Sequence, residues 1–441
     1  MSGGVRTERV KASLESIVDV APLSLPQIVI IGLCALVVMV DGFNTQSIAL
    51  VAPAIVVAWH VPAAAFGSVF GAGLFGSLLG ALFFGVLSDR VGRKPALLAA
   101  VLLFALVNLA TPLATSVNAL TLTRLLAGFG LGGALPITIS LTSEYAPARL
   151  RLTLSGLMFC GFPLGAVLGG VGSAQLIPAL GWTSVFYLGG LIPVVLLPFM
   201  IGLIPESVRF LATRLARARI ERVLRRLQWL DLWDGDLAPA DARVHSPVAS
   251  LFTEGRAAST LLLWATLFLS LLLTYFLINW IPIIARRSGI GMTSAVLGVA
   301  ALNLGAIVGC LTLGRLADRH GRRTTVLALA FAFGALPIGL IGAAHQSSVW
   351  LLGSAFVAGA SSIGAQMCTV VYCANFYDTA LRSTGVGWAL GIGRIGSVVG
   401  PVVGGLLIRG GMASATLFVL IGMMSIGSAI TILAFGRGEK Q

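Results

Sequence analysis

The sequence predicts an all-α membrane protein with twelve transmembrane helices, arranged as two repeats of six. Its 441 residues are 57% hydrophobic and only 10% charged, with a mean hydropathy of +0.98. Long apolar runs recur along the chain, and one polar hairpin motif occurs twice. No water-soluble domain of this size could expose such a composition. A dozen spans of about 20 residues each leave little chain for a soluble domain, which excludes most classes of enzyme.

The elements are predicted in order from the apolar runs. Residues 1–26 are charged and show no cleavable signal, so we expect a cytoplasmic tail. The first bundle, 27–204, contains runs at 27–52, 65–87, 95–114, 118–142, 152–173 and 182–204. A polar central loop, 205–258, separates it from the second bundle, 259–435. The runs of the second bundle lie at 259–284, 292–316, 324–344, 348–372, 383–407 and 413–435, and a short cytoplasmic tail, 436–441, follows.

The central loop contains a basic amphipathic segment from Arg209 to Leu230. Arginines and large apolar residues alternate there at helical spacing. This pattern is typical of a helix that lies on an anionic membrane surface. An ordinary solvated linker helix is the alternative, and the sequence does not choose between them.

The distribution of positive charge predicts the orientation. Of 29 Lys and Arg residues, only Arg286, Arg287 and Arg409 fall in loops on one side, and Arg124 and Arg394 fall within spans. The remaining 24 lie on the other side. Cytoplasmic loops are enriched in Lys and Arg, so both termini and the central loop are predicted to be cytoplasmic. For the same reason, the net charge of +13 indicates an oriented membrane protein and not a nucleic-acid partner.

The two halves repeat one motif. Gly85 to Lys94 reads GVLSDRVGRK and Gly314 to Arg323 reads GRLADRHGRR, at an offset of 229 residues. Both copies join the second and third spans of their half. Two six-helix repeats in parallel orientation are a transporter layout, in which substrate binds near the membrane midplane between the halves.

The motifs resemble those of a known family. The duplicated G-x-x-x-D-R-x-G-R-[KR] hairpin, with the run RLLAGFGLG that starts at Arg124, is similar to the major facilitator superfamily. Within it, Asp41–Thr45 (DGFNT), Thr142–Pro147 (TSEYAP) and Gly387–Gly396 (GWALGIGRIG) resemble the aromatic acid:proton symporters. The resemblance covers residues 24–435, and the central loop matches least. It implies the major facilitator fold and import of benzoate-like acids, such as hydroxybenzoates and protocatechuate, by bacteria that degrade them.

One position departs from the family pattern. The family's first span usually carries two acids, D-G-x-D, where this chain has Asp41 and Asn44. The sequence leaves open whether coupling or substrate choice differs from that of better-known members, and Asn44 is predicted to be a hydrogen-bonding neighbour that cannot titrate.

Three charges are predicted to lie deep in the membrane: Asp41, Arg124 and Arg394. Charges within spans are rare unless they face a cavity and have a role. Asp41 is the only acid placed to carry a proton, and its alternative is a fixed structural pairing with Arg124. Arg394 can hold a carboxylate through two parallel hydrogen bonds. Arg124 can do the same or tune Asp41, and the sequence does not divide the two duties.

Further polar and aromatic residues of the spans could bind ring hydroxyls or ring faces. With Asn44, Arg124 and Arg394, these complete the predicted substrate site: Asn279, Trp280, Asn303, Gln366 and Tyr372.

The hairpin charges are predicted to control access. By resemblance, Asp89 with Arg93 and Asp318 with Arg322 form interhelical ion pairs that stabilise one access state. Glu144 lies near the same end of the fourth span. It is followed by Arg149 and Arg151, so an interfacial ion pair is favoured for it.

No enzyme chemistry or cofactor is predicted. The five cysteines lie in apolar runs without C-x-x-C spacing, the four histidines lie in loops, and no phosphate-binding loop is present. The proton gradient is the predicted energy source, and no metal is expected. The predicted partners are a small aromatic carboxylate, a proton and membrane lipid, for a monomer in the bacterial cytoplasmic membrane. A proton-coupled efflux antiporter and a membrane sensor of aromatic acids are the alternative functions.

Overall fold

The computed structural model describes residues 17–20, 23–147, 149–233, 248–253, 255–343, 347–377 and 381–438. The α-helices of its first half are α1 (Ile17–Val20), α2 (Leu25–Trp59), α3 (Phe66–Val91), α4 (Arg93–Ala110), α5 (Val117–Tyr145), α6 (Arg151–Leu180) and α7 (Thr183–Leu203). Two short helices follow, α8 (Val208–Thr213) and α9 (Arg217–Leu227). The second half contains α10 (Ala257–Arg287), α11 (Met292–His320), α12 (Arg323–Gly342), α13 (Ser348–Ala358), α14 (Gly364–Phe376), α15 (Arg382–Arg409) and α16 (Ser414–Gly438). A π-helical turn, Gly359–Ile363, joins α13 to α14.

Short 3₁₀ segments complete the secondary structure, at Ala63–Ala65, Thr111–Leu113, Leu230–Leu232 and Val248–Phe252. Twelve helical segments in the described part of the chain are long and apolar enough to cross a membrane, six before the central loop and six after it. Many of their large apolar side chains point outward, as lipid-facing residues do. The predicted all-α class with twelve spans is confirmed.

The first span is longer than its apolar run suggests. The prediction ends it at residue 52, because Pro53 follows, whereas α2 continues through Pro53 to Trp59. Proline is tolerated inside membrane helices, since neighbouring helices and polar side chains compensate for the lost hydrogen bond.

The two predicted hairpins turn at equivalent glycines. Gly92, between α3 and α4, has φ +111°, and Gly321, between α11 and α12, has φ +65°. Residues with a Cβ atom rarely adopt these conformations. The 229-residue repeat therefore extends to a positive φ at the glycine of the turn, although ψ differs, 157° at Gly92 and 0° at Gly321. We call the end of the bundle that carries these two turns the hairpin end.

The halves touch at the opposite end, which we call the closed end. Gly67 of α3 packs on Gly405 of α15, with a Cβ built on Gly67 lying 3.0 Å from the Gly405 Cα. Thr293 of α11 donates a hydrogen bond to the Ala174 carbonyl of α6 at 3.4 Å. Gly170 of α6 also lies against α11. Small residues let these helices approach closely.

The basic amphipathic segment packs on the protein. Its helix, α9, buries Ile220, Val223, Leu224 and Leu227 in the core cluster of the first half, and its arginines face outward. Trp229 is buried in the same cluster. The apolar face is therefore occupied by the bundle, where the sequence suggested either a membrane surface or solvent.

Candidate functional site

A polar cleft lies at the middle of the bundle. It is lined mainly by α2, α3 and α5 of the first half, with Asn279 of α10 from the second. Its polar lining consists of Asn44, Thr45, Ser77, Arg124 and Asn279. Phe70 and Leu74 add apolar wall. Such a mixed polar and apolar lining suits a small organic ligand.

Arg124 places a positive charge at the cleft without a matching acid. Its side chain is 3% exposed. One terminal nitrogen, Nη2, donates to Asn108 Oδ1 at 3.0 Å and to Thr111 Oγ1 at 2.5 Å. The guanidinium also lies over the Phe186 ring, 4.6 Å from its centroid. Its Nε has no hydrogen-bond partner among the residues that the structure describes.

These contacts are all neutral. Among the described residues, no carboxylate oxygen lies within 4.0 Å of an Arg124 nitrogen. A buried charge is strongly unfavourable unless an opposite charge and hydrogen bonds compensate it. The neutral contacts supply only part of that compensation, so the geometry favours an anion as the missing partner.

Arg394 joins the two halves beside the cleft. It lies on α15 of the second half, and its Nη1 donates to the carbonyl and the hydroxyl of Ser77 on α3, at 3.2 and 3.4 Å. Both bonds are long and have neutral acceptors. No carboxylate among the described residues pairs with Arg394 within 4.0 Å either.

Asp41 is the deep acid, near the middle of α2 and 4% exposed. Its Oδ1 accepts a hydrogen bond from Thr45 at 3.1 Å. Arg394 and Tyr275 of α10 both lie within electrostatic range of this carboxylate. The alternative in which Asp41 is the fixed partner of Arg124 is not what the structure shows, because Arg124 is held by Asn108 and Thr111.

Asn44 connects two helices of the first half. Its amide nitrogen donates to the Val40 carbonyl one turn back and to the Gly189 carbonyl of α7, both at 3.0 Å. Its Oδ1 is buried, has no partner in the described part of the chain, and lies 2.2 Å from where a Cβ on residue 189 would be. Asn44 thus lines the cleft while it holds α2 against α7.

Of the remaining predicted substrate residues, only Asn279 lines the cleft, and its amide donates to the Tyr275 carbonyl at 2.7 Å. Trp280 is instead a core residue. It is fully buried between the rings of Phe70 and Phe276, and its indole N–H donates to the Pro401 carbonyl at 3.2 Å. Its apolar bulk, with one satisfied polar group, suits the core better than a wet cleft.

Asn303, Gln366 and Tyr372 also lie outside the cleft lining. Asn303 is bonded to Gln46 of the opposite half. Gln366 is 8% exposed, just beyond the π-helical turn. The Tyr372 ring packs edge-on against Phe435, with the centroids 5.7 Å apart.

The hairpin charges form pairs, and the pairs of Glu144 and Asp318 include partners that the sequence did not predict. Arg93 lies 3.6 Å from Asp89 and 3.7 Å from Glu144. Glu144 therefore pairs with Arg93, and its other oxygen accepts from the Ser207 hydroxyl. In the second hairpin, Asp318 pairs with Arg323 at 3.3 Å and not with Arg322.

The reason for the change of partner lies in the turn. Arg322 precedes the first residue of α12 with a non-helical backbone, φ −105° and ψ 59°. Arg323, the next residue, begins the helix and meets Asp318. A spacing of four residues alone does not reveal this backbone irregularity.

Glu206 is a member of the hairpin network that sequence reasoning missed. Its Oε1 accepts from the backbone N–H groups of Arg93 at 2.8 Å and Lys94 at 3.2 Å, the first residues of α4. A carboxylate there satisfies free N–H groups and complements the helix dipole. Its backbone carbonyl also accepts from the Tyr145 hydroxyl at 2.7 Å. The available signal was an acid beside Pro205 at the hairpin end, 113 residues from Arg93.

Comparisons with known proteins agree with the family resemblance that the sequence motifs indicate. The family model described as Major Facilitator Superfamily matches residues 34–375 and 263–441. The gallate transporter of Pseudomonas putida is 38% identical over 425 residues, which cover 96% of this chain and 94% of the relative. The 4-hydroxybenzoate transporter PcaK of Pseudomonas aeruginosa is 36% identical over 413 residues, 90% of each chain.

The fold also matches solved structures. The xylose transporter XylE from E. coli, in a partially occluded inward-open conformation, superimposes with a TM-score of 0.75 at 17% identity. The match covers 93% of this chain and 98% of XylE. At this level of identity the likeness concerns the fold alone.

Proposed function

This chain belongs to the major facilitator superfamily, and from that premise we propose that it imports a small aromatic carboxylate together with a proton. The family resemblance drawn from the motifs is confirmed by the family model and by the relatives. Those relatives are transporters and not enzymes. The aromatic acid, the proton and the direction of transport belong to the proposal.

The uncompensated charge of Arg124 carries the proposal. A guanidinium that is 3% exposed, borders a cleft and lacks an acidic partner among the described residues needs an anion. A carboxylate can bind a guanidinium through two parallel hydrogen bonds. Phe70 and Leu74 offer apolar wall for a ring, and Asn279 offers a polar group for a ring hydroxyl. A hydroxybenzoate-like acid combines these features.

Asp41 and Arg394 support coupling to a proton. Arg394 lies within electrostatic range of Asp41, and its Nη1 donates to the neutral Ser77 oxygens. A proton on Asp41 would weaken its attraction to Arg394 and leave the guanidinium freer for an incoming carboxylate. Loading of the proton and of the acid would then favour each other.

The orientation follows from the same charge count that the sequence offers. The hairpin end carries the Asp89 and Asp318 motifs with their flanking Lys and Arg residues, so we propose that it faces the cytoplasm of a bacterial cell. The closed end would then face outward. Alternating access would open the closed end and close the hairpin end.

Uptake measurements with a panel of labelled acids test the proposal directly. We expect cells that lack their own carriers to accumulate gallate or 4-hydroxybenzoate when this chain is expressed, and to do so faster with an inward proton gradient. Methyl esters and amides of the same rings should compete poorly, because they lack the carboxylate. A useful control is Arg409→Gln, which removes an exposed charge far from the cleft.

Two outcomes would contradict importing activity. Acid extrusion that depends on the proton gradient, without uptake, would indicate an antiporter. Saturable binding of an acid to purified protein without any flux would indicate a sensor.

A further inference from the structure

A pair of amides bridges the two halves. Gln46 of α2 donates from Nε2 to Asn303 Oδ1 at 3.1 Å, and Asn303 of α11 donates from Nδ2 to Gln46 Oε1 at 2.8 Å. The two residues are 257 positions apart in the chain. They are 1% and 5% exposed. Each amide thus supplies a donor and an acceptor to the other, away from water.

The surroundings hold both amides in place. Asn303 Nδ2 also donates to the Val299 carbonyl at 2.9 Å, which fixes its side chain along α11. On α2, Gln46 follows Thr45, which lines the cleft and donates to Asp41. The bridge is therefore attached to the turn of α2 that forms part of the cleft wall.

The other contacts described at the closed end are of a different kind. The Gly67–Gly405 and Gly170–α11 contacts are close packing of small residues, and the Thr293–Ala174 hydrogen bond is a single one at 3.4 Å. Packing contacts of this kind form in any state in which the surfaces meet. A reciprocal amide pair forms only when both side chains return to one register.

We propose that Gln46 and Asn303 are positioning residues that latch α2 to α11 while the closed end is shut and release when it opens. The latch holds the cleft wall at Thr45 against the second half. The proposal rests on the alternating access proposed above. It gives Asn303 a role in the cycle in place of the substrate contact that its sequence position suggested.

The chemistry of the pair determines how it behaves. Both groups are neutral and do not titrate, so the latch should stabilise the closed end equally at every pH and membrane potential. When water enters the opened interface it can satisfy all four amide groups, so separation leaves no buried polar atom unpaired. The net effect of each neutral hydrogen bond is about two- to tenfold in an equilibrium.

Labelling of a closed-end cysteine tests the latch without any substrate. The probe is Ala174→Cys in a chain whose five native cysteines are replaced by alanine, since Ala174 is buried at the contact with α11. The test variant is the double substitution Gln46→Met with Asn303→Leu, which keeps side-chain volume and removes both amides. The matched control, called the exchange variant, is Gln46→Asn with Asn303→Gln. It swaps the two side chains and so keeps one asparagine and one glutamine at the bridge.

We expect maleimide labelling of the probe to rise about fivefold or more in the apolar double variant, and to return toward the parent rate in the exchange variant. The ratio of the labelling rate of the variant to that of the parent at the same pH should be equal at pH 6 and pH 8. If the apolar double variant does not reach the membrane, Asn303→Ser, which admits a water, should raise labelling in the same direction.

Three results would overturn the latch. One is an unchanged labelling rate in the apolar variant, and another is an exchange variant that labels as fast as the apolar one. The third is a ratio of variant to parent labelling rates that differs between pH 6 and pH 8. None of them bears on whether the protein transports an aromatic acid. Conversely, a parent chain that transports none of the acids would contradict the proposed function and leave the labelling result standing.

Discussion

Arg124 is held by two neutral side chains and a ring, and this arrangement fixes its guanidinium plane before any ligand arrives. Lysine cannot reproduce it, because an ammonium is a point charge without a fork. Arg124→Lys should therefore raise the KM for the transported acid about 10- to 100-fold, the range expected for loss of a charged hydrogen bond. Uptake kinetics in whole cells, corrected for the amount of protein in the membrane, provide the measurement.

Arg394→Lys is the informative companion variant. The sequence made Arg394 the first candidate for the carboxylate ligand and Arg124 the next, whereas in the structure the Arg394 Nη1 donates to Ser77. An unchanged KM in Arg124→Lys, with a large rise in Arg394→Lys, would mean that Arg394 is the main ligand and that our division of roles is wrong.

A substitution of Asp41 is expected to distinguish substrate binding from proton coupling. With Asn44 in place of the second family acid, Asp41 is the one acid deep in α2. Asp41→Asn should abolish accumulation driven by a pH gradient while exchange of internal for external acid continues, since both arginines remain. Proteoliposomes measure the two activities separately, and Glu221→Gln, at a partly exposed surface pair, is a suitable control. Accumulation that survives in Asp41→Asn would show that another group carries the proton.

At the scale of elements, the two acids of the first hairpin region should behave differently. The Asp89 side chain is 75% exposed and lies 3.6 Å from Arg93, a geometry that contributes little to stability. The Glu206 carboxylate, by contrast, accepts three backbone N–H groups, those of Arg93, Lys94 and Ser207.

Glu206→Ala should therefore lower the melting temperature of the purified protein by several degrees, because the first turn of α4 loses its acceptor. Asp89→Asn should leave the melting temperature nearly unchanged but slow uptake, since its predicted role lies in the balance of access states. Thermal unfolding of the two variants, measured side by side with uptake, decides between a structural and a gating role. Equal melting temperatures for both variants would contradict this division.

The spans could be predicted because lipid forces each of them to be long and apolar, and the hairpin repeat because the turn requires glycine at Gly92 and Gly321. Whether a polar residue inside a span lines the cleft or bonds to another helix is harder to predict. Asn279 and Asn303 look alike in sequence, yet one lines the cleft and the other bonds to Gln46, a partner 257 residues away. Only the packing of the helices decides between these outcomes.

Backbone detail limited the prediction in the same way. The partner of Asp318 changed from Arg322 to Arg323 because Arg322 stands outside the helix. Glu206 escaped notice because capping of α4 depends on where α7 ends, which spacing in the sequence does not encode. The sequence singled out Asp41, Arg124 and Arg394 as a set, but their individual contacts required the structure.

At the scale of the whole molecule, the deep charges predict the stoichiometry. Ionised Asp41 with Arg124 and Arg394 gives the midplane a net charge of +1. Addition of one proton and one monoanionic acid leaves that sum unchanged, so the empty and the loaded carrier would reorient with equal charge. Unequal charge would place an electrostatic cost on one half of the cycle. We therefore expect electroneutral transport, one proton for each acid, and no substrate-induced current in reconstituted liposomes. A measurable current would overturn the stoichiometry.

The burial of α9 in the first-half core has a consequence for biosynthesis. The ribosome completes α8, α9 and Trp233 before α10. These segments pack, together with Ile17, in the core cluster of the first bundle and cover its hairpin end. The amino-terminal half should therefore become protease-resistant once residue 233 has emerged from the ribosome, before the second half is complete. A gene divided after codon 233 should then yield two fragments that assemble into an active carrier when co-expressed. A gene divided after codon 204 should yield an amino-terminal fragment that is degraded, because the fragment lacks α8 and α9 and leaves the hairpin end of its core exposed.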